Sequence, residues 1–408
     1  MVSVSDRGDV TTNHGSFKDK PIDIMILTSY FARDPNEILG GVGYRYVGLY
    51  GSLAASLLSR SPHSRVFWYS SRDRCMRRLS GGSVVPVTLS MLMAIRKVID
   101  DAGESGHNVA AIIAYPSVVS GSRRHLLDFM LALIYLKFPH KARVMTYVDD
   151  FDPPVEASMA FQERPPSRLR VALLRMLDLC VLRSSTFVIA LSDFWKNLFI
   201  LTYGLKPSSI VIVSNGCLLR QIRYVESSSP NIEHKPVNIL YAGSAMKVKD
   251  VDRLIDVVHG LRMKGLRLDL SICGAKLMDT PDWVQIKSYD WLTMARQVLP
   301  SSDICVIPYP SNRVTFSHGL PAKLFDYMGA GKPVVSTNLE GTGLLLKRYN
   351  CGLVAENWQD FSDCIERIYN DPQLAKRLGA NGRRAAEEFF DYERIAEHLL
   401  DQIASAFG

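Results

Sequence analysis

The residues best suited to chemistry lie in one run, Phe316-Ser317-His318-Gly319-Leu320-Pro321-Ala322-Lys323-Leu324-Phe325-Asp326-Tyr327-Met328-Gly329-Ala330-Gly331-Lys332-Pro333-Val334-Val335. Gly319 precedes a helix expected over 321–329, with Pro321 in its first turn, where a missing N–H costs nothing. Open N–H groups at Gly319, Leu320 and Ala322, and the positive dipole end of the helix that starts at Pro321, suit an anion such as a diphosphate. Asp326 offers a carboxylate that can accept from the hydroxyls of a ligand, two helical turns from the imidazole of His318. The helix alone reads equally well as an ordinary capped unit between sheet strands.

Three smaller groups accompany it. Leu240-Tyr241-Ala242-Gly243-Ser244 is followed by Lys247 and Lys249, a strand and glycine leading into cations. Gly40-Gly41-Val42-Gly43, with Arg45 beside it, opens a helix where glycine lets a ligand approach the backbone. Asp149, Asp150 and Asp152 crowd one strand end, where like charges repel unless a ligand needs them. The triad fits an acceptor anchor, a cation site or a solvated loop.

These groups need a scaffold that gathers the ends of many strands. Apolar runs supply it at Asp23–Thr28, Arg65–Ser70, Ala110–Tyr115, Arg143–Val148, Phe187–Leu191 and Ile210–Val213. A second set follows at Val237–Tyr241, Leu268–Cys273, Val284–Ile286, Asp303–Ile307 and Pro333–Ser336. Helical stretches such as Val251–Lys264 separate them, which indicates an α/β fold of parallel sheets. The polar stretch Tyr224–Lys235 divides the strands into two doubly wound domains, and such sheets bind ligands beyond the carboxyl ends of their strands. The expected layout is a polar, disordered tail over 1–20, a first domain over 21–222 and a linker over 223–236. A second domain over 237–389 follows, and a terminal helix over 390–408 packs back on the first.

The run around Gly319 resembles the signature of retaining glycosyltransferases of the large family four, with the GT-B fold of two Rossmann-like domains facing across a cleft. In that family a carboxylate pair spaced E-x7-E opens a helix that ends in a Gly-Lys-Pro-Val-Val-like turn. Asp326 stands at the second carboxylate position and His318 at the first. The resemblance implies nucleotide-ribose binding at Asp326. Lys249 falls where the family's phosphate clamp has its lysine, and Ser244 replaces the clamp arginine, with Lys247 a substitute cation. Cys273-Gly274 resembles a turn packed near the diphosphate, and Tyr289 lies where relatives hold the base. Gly41 and Gly43 correspond to a loop near the donor, and Arg45, Asp149, Asp150 and Asp152 fall on the acceptor side. Ser214-Asn215-Gly216 reads as a plain turn closing the first domain. The implied reaction carries a sugar from a nucleoside-diphosphate sugar to a carbohydrate or lipid-linked acceptor. It retains anomeric configuration and uses no metal or other cofactor. A nucleotide-sugar epimerase of the same architecture and a non-catalytic nucleotide-sugar-binding protein are the competing readings.

The 408 residues, 47% hydrophobic and 22% charged, suffice for two cores. The net charge of +7 by itself admits anionic donors, acidic lipid or nucleic acid alike; alongside the resemblance, nucleic acid is not expected. The seven cysteines form no CxxC pair, which points to a reducing compartment. No secretory leader or spanning segment is evident. The arginine-rich, apolar stretch Arg164–Arg183 suits an anionic membrane surface. The expected location is therefore cytoplasmic, peripheral on the inner face of the cell membrane.

Overall fold

The computed structural model describes residues 20–28, 41–70, 75–79, 87–88, 90–115, 131–137, 142–148, 168–225, 235–243, 250–274, 280–310 and 319–407. Two sheets organise them. The first contains β1 (Ile22–Thr28), β2 (Arg65–Ser70), β3 (Cys75–Arg78), β4 (Val87–Thr88), β5 (Asn108–Tyr115), β6 (Arg143–Val148), β7 (Phe187–Ala190) and β8 (Ile210–Ile212). Their spatial order is β4-β3-β2-β1-β5-β6-β7-β8, parallel except for the antiparallel pairs β2–β3 and β3–β4. The second contains β9 (Val237–Ala242), β10 (Leu268–Cys273), β11 (Val284–Lys287), β12 (Ile304–Ile307), β13 (Val334–Thr337) and β14 (Gly352–Ala355). It is wholly parallel, in the order β11-β10-β9-β12-β13-β14. The winding reverses between β1 and β5 in one sheet and between β9 and β12 in the other, and crevices for ligands open at such reversals.

The strand cores follow from composition. Every residue of β1 is buried, as expected for a strand covered on both faces. Its single charge, Asp23, accepts from Arg65 Nε at 2.9 Å and lies 3.0 Å from His107 Nδ1. The antiparallel strands β3 and β4 and the edge strand β14 are absent from the sequence-based set. Cys-Met-Arg-Arg carries little apolar signal, β4 has two residues, and β14 opens on a glycine.

Helices cover both sheets. Helix α1 (Gly41–Arg60) and α2 (Met91–Ser105) flank the first, with α3 (Arg168–Ser184) and α4 (Asp193–Tyr203) further along. The second carries α5 (Val251–Met263), α6 (Ala322–Gly329), α7 (Glu340–Tyr349), α8 (Trp358–Asn370) and α9 (Pro372–Ala385). After a π-turn over Ala386–Phe390 the chain breaks at Asp391 and continues as α10 (Tyr392–Ser405). Tyr392, Ile395, Leu399 and Ile403 of α10 belong to the first domain's core, beside Tyr50, Leu53 and Leu57 of α1. Gly48 permits that contact: a Cβ there would lie 2.4 Å from the Tyr392 ring. The chain therefore passes between domains twice. Cys217 and Asp391 form a parallel bridge where the passages meet, with Cys217 N donating to Phe390 O at 2.8 Å.

Candidate functional site

The reversal point of the second sheet gathers the ends of β9 and β12 and the start of α6. Pro321 has extended backbone (φ −63°, ψ 136°) and serves as the N-cap, so the helix begins at Ala322, one residue later than the sequence suggests. Two carbonyls ahead of the helix are drawn into the protein. Gly319 O accepts from Thr342 Oγ1 at 3.4 Å, and Leu320 O accepts from Asn215 Nδ2 at 2.7 Å. Across a trans peptide the N–H points away from the carbonyl, so anchoring Gly319 O turns the Leu320 N–H the other way. With the first amides of α6, this makes a set of donors suited to an anion.

Asp326 lies in the second turn of α6 and is buried. Its Oδ2 accepts from Trp291 Nε1 at 3.4 Å. Trp291 is held in turn by Asp290, which caps the following helical turn by accepting from Thr293 N at 2.9 Å and Thr293 Oγ1 at 2.6 Å. Those two hydrogen bonds hold the Asp290 carboxyl below its usual range. Tyr327, fully buried, accepts from Ala242 N at 2.8 Å and so pins α6 to the end of β9. Lys332, in the Gly-Lys-Pro turn, is structural: its buried ammonium donates to Pro300 O at 3.0 Å, and burial lowers its pKa.

Gly243 and Gly274 directly follow the paired strands β9 and β10, and Gly243 meets α6 at Lys323; Gly319, Leu320 and Pro321 lead into that helix and Asp326 lies within it. Gly274 packs on Gly243, since a Cβ at Gly274 would lie 3.4 Å from the Gly243 backbone. Tyr289 packs partly buried against the second core. Trp291 touches both cores and borders a cleft of about 650 Å³ between the domains, lined also by Gly51, Ser52, Leu218, Arg220 and Glu393. Gly41 and Gly43 lie in the first turn of α1; the Arg45 side chain is outside what the structure describes. Lys247, Lys249, Ser244, His318, Asp149, Asp150 and Asp152 fall outside the described residues, as does the tail before Lys20.

Two residues assigned no ligand-site role from sequence stand out. Asn215 is no plain turn residue. It is fully buried and joins the end of the first domain to the loop before α6. Lys323, quoted only as part of the run, places its ammonium 4.0 Å from the centre of the Tyr241 ring and 5.0 Å from that of Tyr309. Nothing local in the sequence announces either contact.

This architecture has known counterparts. Residues 225–385, spanning the second domain, match the family described as Glycosyl transferases group 1. The capsular polysaccharide biosynthesis glycosyltransferase CapM of Staphylococcus aureus is 22% identical over 249 residues, covering 56% of this chain and 63% of CapM. The chain thus matches less than two thirds of that curated relative. Sucrose-phosphate synthase of Thermosynechococcus elongatus superposes with a TM-score of 0.64 at 15% identity, over 94% of this chain and 99% of that one. HepE of Anabaena, solved with UDP and glucose, gives 0.61 at 14% identity over 94% and 99%. The fold is GT-B.

Proposed function

We propose that the protein is a retaining glycosyltransferase that moves a sugar from a nucleoside-diphosphate sugar to an acceptor hydroxyl. The observation that carries this reading is the start of α6 at the reversal point of the second sheet, with Asp326 one turn inside it. The group 1 match over the same residues supports it. The Leu320 and α6 amides receive the diphosphate, and Asp326 accepts from the ribose. Lys249, with Lys247 beside it and the Ser244 hydroxyl, adds donors after β9, and His318 meets the sugar.

In the reaction the bond from the anomeric carbon to the β-phosphate oxygen breaks. The acceptor oxygen bonds to the same face of that carbon, and the acceptor proton passes to the departing phosphate. No metal is needed for this balance. The protein contributes positioning and stabilisation of leaving-group charge, and a closed cleft keeps water from the donor. The test is turnover of a panel of nucleoside-diphosphate sugars with and without acceptors, followed by the anomeric configuration of the product by NMR. An inverted product excludes the mechanism, and no turnover or hydrolysis of any donor excludes the enzyme.

The acceptor is carbohydrate or lipid-linked, and the first domain has a surface suited to the second case. Helix α3 turns Leu169, Ala172, Met176 and Cys180 outward at helical spacing, with Leu169 72% and Met176 57% exposed. Arg175 and Arg183 flank this stripe, an arrangement favoured among anionic headgroups. Co-sedimentation with anionic but not neutral vesicles, weakened by salt and by Met176→Glu, is expected. Equal recovery with both vesicle types counts against it.

A further inference from the structure

Lys323 occupies the first turn of α6, where the helix dipole disfavours a cation. A side chain that breaks a local rule at a ligand crevice marks a functional constraint. Its ammonium nitrogen is out of contact with solvent and lies against two buried aromatic faces, Tyr241 and Tyr309. Ring faces hold a desolvated cation in place. Burial and a mutual hydrogen bond push the Tyr241 phenol above its ordinary value, and burial does the same at Tyr309, so both stay neutral. The nitrogen sits directly beneath Gly243, whose φ is 146° and whose missing Cβ would lie 2.4 Å from it. A charge is therefore fixed under the crevice between β9 and β12, reached through the backbone of one glycine.

We infer that Lys323 is the buried counter-charge of the diphosphate site, acting through Gly243 and the α6 amides to favour the β-phosphate over a site with no anion. This rests on the reading of the crevice as a nucleotide site. Lys323 is a positioning residue in this scheme, since its nitrogen is covered. At an effective dielectric near 20, a covered unit charge several ångströms from a phosphate changes affinity by roughly tenfold or more.

The experiment titrates the parent, Lys323→Met and Lys323→Arg with UDP, GDP, ADP and dTDP, and with the monophosphate of whichever diphosphate binds. Lys323→Met keeps the length and apolar contacts of the stem but removes the charge. It should lower the diphosphate-to-monophosphate affinity ratio by roughly tenfold or more, while Lys323→Arg retains most of it. A misfolded variant would lose both ligands together, and a purely structural lysine would leave the ratio at the parent value. An unchanged ratio in Lys323→Met overturns the inference and leaves the nucleotide site standing. A parent that binds none of the four diphosphates overturns both.

Discussion

Asn215 offers the sharpest test of how the two domains are joined. Its Nδ2 bond to Leu320 O, 2.7 Å long and wholly buried, links residues 105 positions apart. Truncation to alanine strands a buried carbonyl, which costs about 1–3 kcal/mol. Part of that is offset, because no donor among the described residues reaches Asn215 Oδ1, and its desolvation cost disappears with the side chain. The net loss for Asn215→Ala should be about 1 kcal/mol, or a Tm drop of roughly 2–4 °C for a domain near 200 residues. Asn215→Asp is a harsher change of similar shape. It aims a buried carboxylate at the Leu320 carbonyl, and an uncompensated buried charge costs about 3–5 kcal/mol. Burial raises the folded-state pKa of such a carboxyl above its unfolded value near 3.9. The folded state then binds more protons than the unfolded state between those two values, so stability falls as pH rises through that window. Below it the protonated carboxyl can donate to Leu320 O and approach the parent. Denaturant unfolding of all three proteins at pH 5 and pH 8 reads both effects. If Asn215→Asp matches Asn215→Ala at pH 8, or gains stability with rising pH, the latch is wrongly assigned.

Further outcomes follow from the packing. Gly48→Val should cost about 1–3 kcal/mol in unfolding free energy, since its Cβ would enter the Tyr392 ring and lift α10 from α1; a neutral result would mean the helices do not meet there. Thiol titration at pH 8 should find Cys180 the fastest of the described cysteines, and Cys180→Ser should remove that phase. Cys305 and Cys351, both pushed up to about 12 mainly by burial, should react only on unfolding. A nucleoside diphosphate at a hundred times its Kd should stabilise by about 2.7 kcal/mol, and scanning calorimetry should show the first domain's transition moving with the second's. Independent melting of the first domain would refute that coupling.

How far the sequence reveals this molecule depends on the range of the interactions involved. Arg65–Ser70 and Leu268–Cys273 are strands with the bounds their apolar runs suggest, because strands buried on both faces need unbroken hydrophobic sequence. The break near Asp391 before the last helix is legible for a similar reason, as Asp391 caps α10 by accepting from Glu393 N at 3.3 Å. Asp326 and the Gly319 run are recognisable because a helix start, a carboxylate and a glycine turn lie within a few residues. The contacts of Lys323 are different. Its spacing from Tyr241 and Tyr309 is set by sheet order, which places β9 beside β12 only after β10 and β11 have wound outward. Asn215 hides for the same reason, since an Asn-Gly turn looks alike whether its amide meets water or a distant carbonyl.

The same contacts show why α6 governs the geometry of the cleft. The outgoing passage touches it at both ends, through Asn215 at Leu320 and through Cys217 and Ile222, whose side chains would lie 3.0 Å from a Cβ at Gly329. The returning passage touches its middle through the Phe325–Phe390 ring pair, 5.0 Å between centres, and α9, which leads into that passage, holds its end through Arg383, which donates to Gly329 O at 2.7 Å. Any rotation of one domain against the other must therefore work against contacts of the helix that carries Lys323 and Asp326. A ligand that prefers one setting of α6 necessarily prefers one setting of the passages, and the preference is reciprocal. A ligand held at the start of α6 and the geometry of the cleft would thus be coupled through eight residues, Ala322 to Gly329.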